Sequence, residues 1–111
     1  MVSKAIGRHI RVAPRKVRQV INLIRGEDVT HALAVLKALN KDAAQPVGKV
    51  LKSALSNAIK QANIRESDLY IGRISADEGP MLKRAKAQAM GRSTTIRRRT
   101  SHIYVELERR V

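Results

Sequence analysis

Seven lysine and arginine side chains lie within the 25 residues from Gly79 to Ile103, a segment with no acid and no aromatic residue. Such side chains form charge-assisted hydrogen bonds to phosphate, and each guanidinium offers a planar fork of donors. So polar a segment cannot build a core of its own. It is predicted to be an internal arm that binds a polyanion through Lys83, Arg84, Lys86, Arg92, Arg97, Arg98 and Arg99.

The formal charge of +14 is unevenly placed along the chain. Residues 27–78 carry seven basic and seven acidic side chains, whereas residues 1–26 carry seven basic and no acidic ones. We therefore expect the two cationic ends to share one face, with nucleic acid as the partner, while the neutral middle holds the fold. The candidate RNA-binding residues of the first end are Arg8, Arg11, Arg15, Lys16, Arg18 and Arg25.

Few residues could support catalysis or bind a metal or other cofactor. The chain has no cysteine, which excludes disulfides, thiol nucleophiles and zinc modules built on Cys-x-x-Cys. His9, His31 and His102 lack the spacing of metal ligands. Asp77 and Glu78 are neighbours on a predicted strand, so they point to opposite faces and do not form an acid–base pair. An enzyme is the least favoured class, and no cofactor is expected.

The chain also lacks features of a membrane or secreted protein. No apolar run approaches the roughly 20 residues that span a bilayer, and the N-terminus lacks an apolar signal core. We therefore expect a location in the cytoplasm.

Pro14 and Gly26 mark the limits of a first helix. Proline suits the first helical position, which needs no backbone donor, and glycine commonly follows the last turn. Before the helix, Ile10 and Val12 alternate with Arg11 and indicate a short strand over residues 8–12. One helix face is apolar and packs, while the basic face opposite meets phosphate. The apolar residues are Val17, Val20, Ile21 and Ile24.

Two more helices follow in the neutral middle. Asp28 is the predicted N-cap of the second helix and Asp42 that of the third, whose first turn tolerates Pro46. The predicted apolar stripes are Val29, Ala32, Leu33, Leu36 and Leu39 in the second helix, and Val47, Val50, Leu51, Ala54, Leu55, Ala58 and Ile59 in the third.

Two strands are predicted over residues 69–76 and 101–108, the latter with a clear alternation of apolar and polar residues. Their connection is far longer than a hairpin turn, so we predict a two-stranded ribbon over about residues 77–101 with its tip at Met90–Gly91. A helix over 81–90 is the second interpretation, because Pro80 precedes and Gly91 follows a helix-forming composition.

The predicted fold class is α+β, in one domain spanning residues 1–111. It has a three-stranded antiparallel sheet packed on three helices and a long protruding β-hairpin between the last two strands.

Several motifs, in order and in register along nearly the whole chain, closely resemble the family of large-subunit ribosomal protein L twenty-two. They are Pro14-Arg15-Lys16-Val17-Arg18, Leu23-Ile24-Arg25-Gly26, Asp77-Glu78-Gly79-Pro80, Leu82-Lys83-Arg84, Gly91-Arg92 and Arg99-Thr100-Ser101-His102-Ile103.

The resemblance implies a non-enzymatic constituent of a bacterial or organellar ribosome. In such a protein a small core faces solvent and a long hairpin runs inward through ribosomal RNA to line the nascent-peptide exit tunnel. It implies a monomer within the ribosome, with ribosomal RNA, neighbouring ribosomal proteins and the nascent polypeptide as partners, and a role in subunit assembly and macrolide response. The tunnel-lining tip would comprise Ala87, Gln88, Ala89, Met90 and Gly91, where many relatives have a proline and further basic residues.

Two binding classes remain as alternatives from the residues themselves. A DNA-bending protein would use the arm to embrace a duplex and Met90 as a wedge between base steps, but such proteins work as symmetric dimers. A helix-turn-helix regulator would use the second helix for reading, and that helix carries little charge.

Overall fold

The computed structural model describes residues 1–79, 82–87 and 93–110, with the backbone alone in 82–87 and 93–98. The strands are β1 (Ser3–Ile10), β2 (Leu69–Glu78), β3 (Leu82–Ala87), β4 (Ser93–Arg98) and β5 (Ser101–Arg109). The helices are α1 (Pro14–Ile24), α2 (Val29–Ala38) and α3 (Ala44–Ala62), and a 3-10 turn spans Glu66–Asp68.

A three-stranded antiparallel sheet in the order β1-β5-β2 carries the helices on one face. The alternation predicted for β5 is confirmed, because Ile103, Val105 and Leu107 are fully buried and the residues between them are only partly covered. One-sided burial fixes the register, since a shift of one residue would expose the whole apolar set. The predicted fold class is therefore confirmed in this sheet and its three helices.

The first helix has the predicted limits. Pro14 is its first residue, and Gly26, two residues after its end, has a φ of +78° that an L side chain rarely adopts. Val17, Val20, Ile21 and Ile24 are all fully buried. The proline at its start, the glycine after its end and the apolar stripe between them are therefore sufficient to predict this helix.

The other two helices differ from prediction at their ends. Asp28 is at the N-cap position of α2, but its carboxylate caps no backbone amide and instead accepts a hydrogen bond from Arg110. The prediction of Asp42 as the N-cap of α3 is wrong, because Ala43 holds that position and is buried with the core. Ile59, predicted to pack, is 45% exposed.

The first strand was predicted too late in the chain. It begins at Ser3 rather than Arg8, because its pairing with β5 runs from Ser3 opposite Leu107 to Gly7 opposite Ile103. The Ser3 hydroxyl also donates to the Ala54 carbonyl of α3 at 2.8 Å. A register shift follows Gly7, and His9 takes a φ of 56° within it. Pairing with a strand nearly 100 residues away thus decides this element.

The arm is a ribbon over its described part. β3 pairs with β4 from Leu82 opposite Arg98 to Ala87 opposite Ser93, so the helix interpretation is wrong for these residues. Inter-strand hydrogen bonds outweigh a helix preference of only tenths of a kcal/mol per residue. The principal extents of 65 × 25 × 17 Å and a radius of gyration of 17.0 Å, against about 13 Å for a compact chain of this length, show that the hairpin protrudes.

Gly7 lies where β1 passes closest to α3. A Cβ atom at Gly7 would be 2.5 Å from Cγ2 of the buried Val50. We therefore expect Gly7→Ala to lower the free energy of unfolding by about 1–3 kcal/mol, as overpacking does. Gly48→Ala is the control, because its Cβ would lie 3.9 Å from Leu36 Cδ1 and alanine favours a helix, so a gain of about 0.5–1 kcal/mol is expected. Urea unfolding followed by circular dichroism measures both, and equal effects would contradict the close approach.

Candidate nucleic-acid interface

The outer face of α1 carries the first set of predicted cations. Arg15, Lys16 and Arg25 are exposed, whereas the opposite face of the helix is fully buried against β2 and α3. Packing of the apolar stripe therefore fixes which way these charges point. Arg11, in the loop before the helix, is exposed as well.

Arg18 differs from the other cations of α1 because it is bound within the protein. Its Nε and Nη2 atoms both donate to the Ala76 carbonyl of β2, at 3.2 and 3.0 Å. A guanidinium has five N–H donors, so this contact leaves donors for an external anion. Arg18 thus joins α1 to the strand that leads into the arm, a role its sequence position did not reveal.

The base of the arm is attached to the loop that precedes α1. The Ser101 hydroxyl donates to the Val12 carbonyl at 2.5 Å, and the backbone amide of Gly79 donates to the Thr100 carbonyl at 2.9 Å. A cavity of about 200 Å³ lies beside these contacts. It is lined by Pro14, Glu78, Gly79, Arg99 and Thr100. The two acid-free regions, far apart in sequence, therefore meet here.

The predicted cations have no acidic partner within the protein wherever its side chains are described. The ion pairs found there join the Met1 amino group to Glu108 at 3.1 Å, His31 to Glu27 at 3.8 Å, and Arg110 to Asp28. Unpaired surface charges leave a net positive field that attracts a polyanion. Of the predicted cations whose side chains are described, those that are exposed and outside these pairs are Arg8, Arg11, Arg15, Lys16, Arg18, Arg25 and Arg99.

Arg8 lies apart from α1, on the sheet face that the helices leave open. With Arg73, His102 and Tyr104 it lines a shallow concavity of about 600 Å³. The Arg73 guanidinium lies over the Tyr104 ring, 5.8 Å from its centre. Arg73 was not predicted as a site residue, because a register shift between Ile71 and Arg73 changes which residues of β2 reach the open face.

The Tyr104 hydroxyl donates to the Glu106 carboxylate on the same strand. This hydrogen bond, together with partial burial and the negative charge of Glu106, raises the pKa of Tyr104 above its usual value. The phenol therefore stays neutral throughout the physiological range.

Arg110, just beyond the end of β5, has a structural role. Its side chain bonds to Asp28, its guanidinium lies 4.6 Å from the centre of the Tyr70 ring, and its backbone amide donates to the Asp68 carbonyl at 2.7 Å. The end of β5 is thereby attached to the start of α2.

The remaining predicted residues belong to the arm. Lys83, Arg84 and Lys86 lie on β3, and Arg97 and Arg98 on β4, with Lys83 directly opposite Arg97. Of the predicted tip, Ala87 ends β3, where it pairs with Ser93. Arg92 and the tip residues Gln88, Ala89, Met90 and Gly91 lie outside the described residues.

Among the described residues, no group of histidine and acidic side chains could hold a metal ion. None of the described helices combines the length and the apolar character needed to cross a membrane.

The fold and this surface define a class of small, strongly basic α+β proteins that carry a projecting β-ribbon. The sequence model of one such family, described as Ribosomal protein L22p/L17e, matches residues 5–108. The chain belongs to this family.

Curated relatives are similar along almost their whole length. A protein of Desulfitobacterium hafniense named large ribosomal subunit protein uL22 is 52% identical over 103 residues, which cover 93% of this chain and 90% of the relative. Relatives of the same name from Bifidobacterium animalis and Sulfurihydrogenibium are 50% and 55% identical, covering 95% of this chain in both cases and 92% and 90% of the relatives.

Family membership confirms the resemblance read from the sequence. The protein is a structural, non-enzymatic constituent of the large ribosomal subunit, located on the ribosome in the cytoplasm, and it takes part in translation. There it lies among ribosomal RNA and other ribosomal proteins. The DNA-bending and helix-turn-helix alternatives are therefore wrong.

Replacing Arg18 tests whether its fork joins α1 to the arm. Arg18→Met keeps much of the aliphatic stem but removes both donors to the Ala76 carbonyl. We expect the free energy of unfolding to fall by about 1–2 kcal/mol, measured by urea denaturation. Arg15→Met is the matched control, with an expected change within about 0.5 kcal/mol, because Arg15 is exposed and unpaired. If the two variants had equal free energies of unfolding, the hydrogen bonds from the Arg18 guanidinium to the Ala76 carbonyl would contribute nothing to stability.

Proposed function

We propose that the protein binds ribosomal RNA and links separate RNA segments through one cationic surface. This surface comprises the exposed cations of the core and the arm that rises beside them. The observation that carries the proposal is the meeting of the two acid-free regions at the base of the arm, through the Ser101–Val12 hydrogen bond. The Arg18–Ala76 hydrogen bond holds α1 beside the strand that leads into the arm. The core residues of the surface are Arg11, Arg15, Lys16, Arg18, Arg25 and Arg99, and Arg8 is a separate proposed RNA contact on the open face of the sheet.

The arm provides the linking function. Arg97 and Arg98 hold successive positions of β4, and successive strand positions alternate between the two faces of a ribbon, so we propose that phosphates bind on both faces. The register also places Lys83 opposite Arg97, and like charges at directly opposed positions destabilise a ribbon. A phosphate between them would turn this repulsion into attraction.

We further propose that the end of the arm lines the tunnel through which the nascent chain leaves the ribosome. The family resemblance supports this role, and a two-stranded ribbon is thin enough for a confined channel. Ala85 and Ala87 add little bulk to β3. The nascent polypeptide is thus a proposed partner, and subunit assembly and macrolide response are proposed consequences.

Salt dependence measures the phosphate contacts of the cationic surface. If about eight phosphates are neutralised, the logarithm of affinity for a large-subunit RNA fragment should fall with the logarithm of salt concentration at a slope near −7. The double variant Arg15→Gln/Lys16→Gln should make the slope shallower by about 1–2. Lys60→Gln, at an exposed position in the last turn of α3, should leave it unchanged. Similar slopes for the two variants in fluorescence titrations would count against the proposed surface.

Removing the arm separates its function from the stability of the core. Deletion of residues 81–96 leaves a short loop between Gly79 and Thr100. These two residues are joined by a backbone hydrogen bond at the end of the β2–β5 ladder. We expect a native circular dichroism spectrum and a cooperative thermal transition, because all the described core residues lie outside the deleted segment. Incorporation of the variant into large subunits, measured by sucrose-gradient sedimentation, should fall. Global unfolding of the variant would refute the division into core and arm.

A further inference from the structure

A second surface lies between α2 and α3. Here a groove of about 610 Å³ separates the two helices. Its floor is apolar, because Leu36 and Ala44 are 6% and 4% exposed and Leu33 and Leu39 are partly buried against the core. The volume falls within the range of ligand-binding clefts.

The groove follows the α3 axis over two helical turns. Ala44, Gly48 and Lys52 are four residues apart and line it together, a span of about 12 Å at 1.5 Å per residue. The nearest heavy atom to a Cβ at Gly48 would be Leu36 Cδ1 at 3.9 Å, so the absent side chain leaves the middle of the groove open.

The polar lining of the groove has one sign of charge. Lys37, Lys41, Lys49 and Lys52 line it, and all four are exposed. No acidic side chain is among the lining residues, and Asp42 instead borders a neighbouring depression. A lysine stem packs along apolar surface while its ammonium group stays in water, so the groove combines an apolar floor with a cationic rim.

This lining favours a peptide over RNA as the occupant. It contains no aromatic ring on which a base could stack and no arginine to form a bidentate contact with phosphate. An apolar floor instead suits aliphatic side chains, and a surrounding ring of ammonium groups suits carboxylates. An amphipathic helix that presents apolar residues at i, i+3 or i+4, and i+7 fits a groove between two helices.

We propose that the α2–α3 groove is a docking site for an acidic amphipathic helix of a partner protein. Apolar side chains of that helix occupy the space above Gly48, and flanking carboxylates pair with the four lysines. The site shares none of the cationic surface assigned to RNA, so the proposal does not depend on RNA binding.

A designed peptide tests the proposal on the full-length protein. The probe is a fluorescein-labelled helical peptide of about three turns, with leucines on one face and glutamates beside them. The matched control peptide has lysine in place of each glutamate. Fluorescence anisotropy should show saturable binding of the acidic peptide alone. Amide shifts in NMR spectra of the full chain should be largest at residues 33–52.

Variants then assign the binding to the groove. Gly48→Phe, which fills its middle, should weaken binding by roughly tenfold or more, and Lys37→Gln and Lys49→Gln by roughly two- to fivefold each. Lys60→Gln, outside the groove, should leave affinity unchanged. Circular dichroism checks the fold of each variant, and the lysine variants keep the test decisive if Gly48→Phe is unstable.

Unchanged peptide affinity in the groove variants would overturn the proposal, as would peptide shifts confined to α1 or the arm. If the large-subunit RNA fragment, and not the peptide, shifted the amide signals of the groove residues in NMR spectra, the groove would be assigned to RNA and the proposal would also be overturned. Loss of RNA affinity in Arg15→Gln/Lys16→Gln is measured separately, so failure of one proposal leaves the other standing.

Discussion

The antiparallel ladder between β2 and β5 determines where the arm stands and which way it leaves the core. It runs from Leu69 opposite Arg109 to Glu78 opposite Ser101, and the Gly79–Thr100 hydrogen bond extends it toward β3 and β4. Its register is fixed by apolar residues that must all face the helices. A change in core packing that shifted this register would therefore alter the pairing at the base of the arm as well. The core positions the arm through backbone pairing rather than through contacts made by the arm itself.

Charge separation complements this arrangement. The chain has 23 basic side chains and only nine acidic ones. Repulsion among the excess positive charges therefore opposes compaction of the free chain. The core tolerates it because the residues that fold against one another are apolar, and no ion pair of the described part involves a residue of α1. In the proposed function, a positive field concentrated at the base of the arm would orient incoming RNA. The same charge imbalance that opposes folding of the isolated protein would then favour the proposed RNA complex.

The sequence was informative where local physics decides the structure. Pro14, Gly26 and the alternation from Ile103 to Leu107 defined α1 and β5 because turn chemistry and one-sided burial act within a few residues. It was less informative where a distant partner decides. The start of β1 depends on β5, and the fork of Arg18 depends on a carbonyl 58 residues away. The candidate cations stay a prediction made from charge alone, whereas the meeting of their two regions at the arm base and the position of Arg73 beside Arg8 are seen only in the tertiary structure.

Arginine and lysine are distributed differently over the two surfaces, and the difference has a chemical basis. Around α1 and the arm base the cations are mostly arginines, whose planar fork fits phosphate and can also bond a backbone carbonyl, as Arg18 does. Around the α2–α3 groove they are lysines, whose flexible stems cover apolar surface and whose ammonium groups act as point charges. A phosphate held in a fixed RNA scaffold binds more strongly to donors of fixed direction, such as a guanidinium. The carboxylates of a peptide helix need only a positive charge nearby. Under the two proposals, RNA and the peptide helix would occupy separate surfaces, so neither partner would compete with the other for its site.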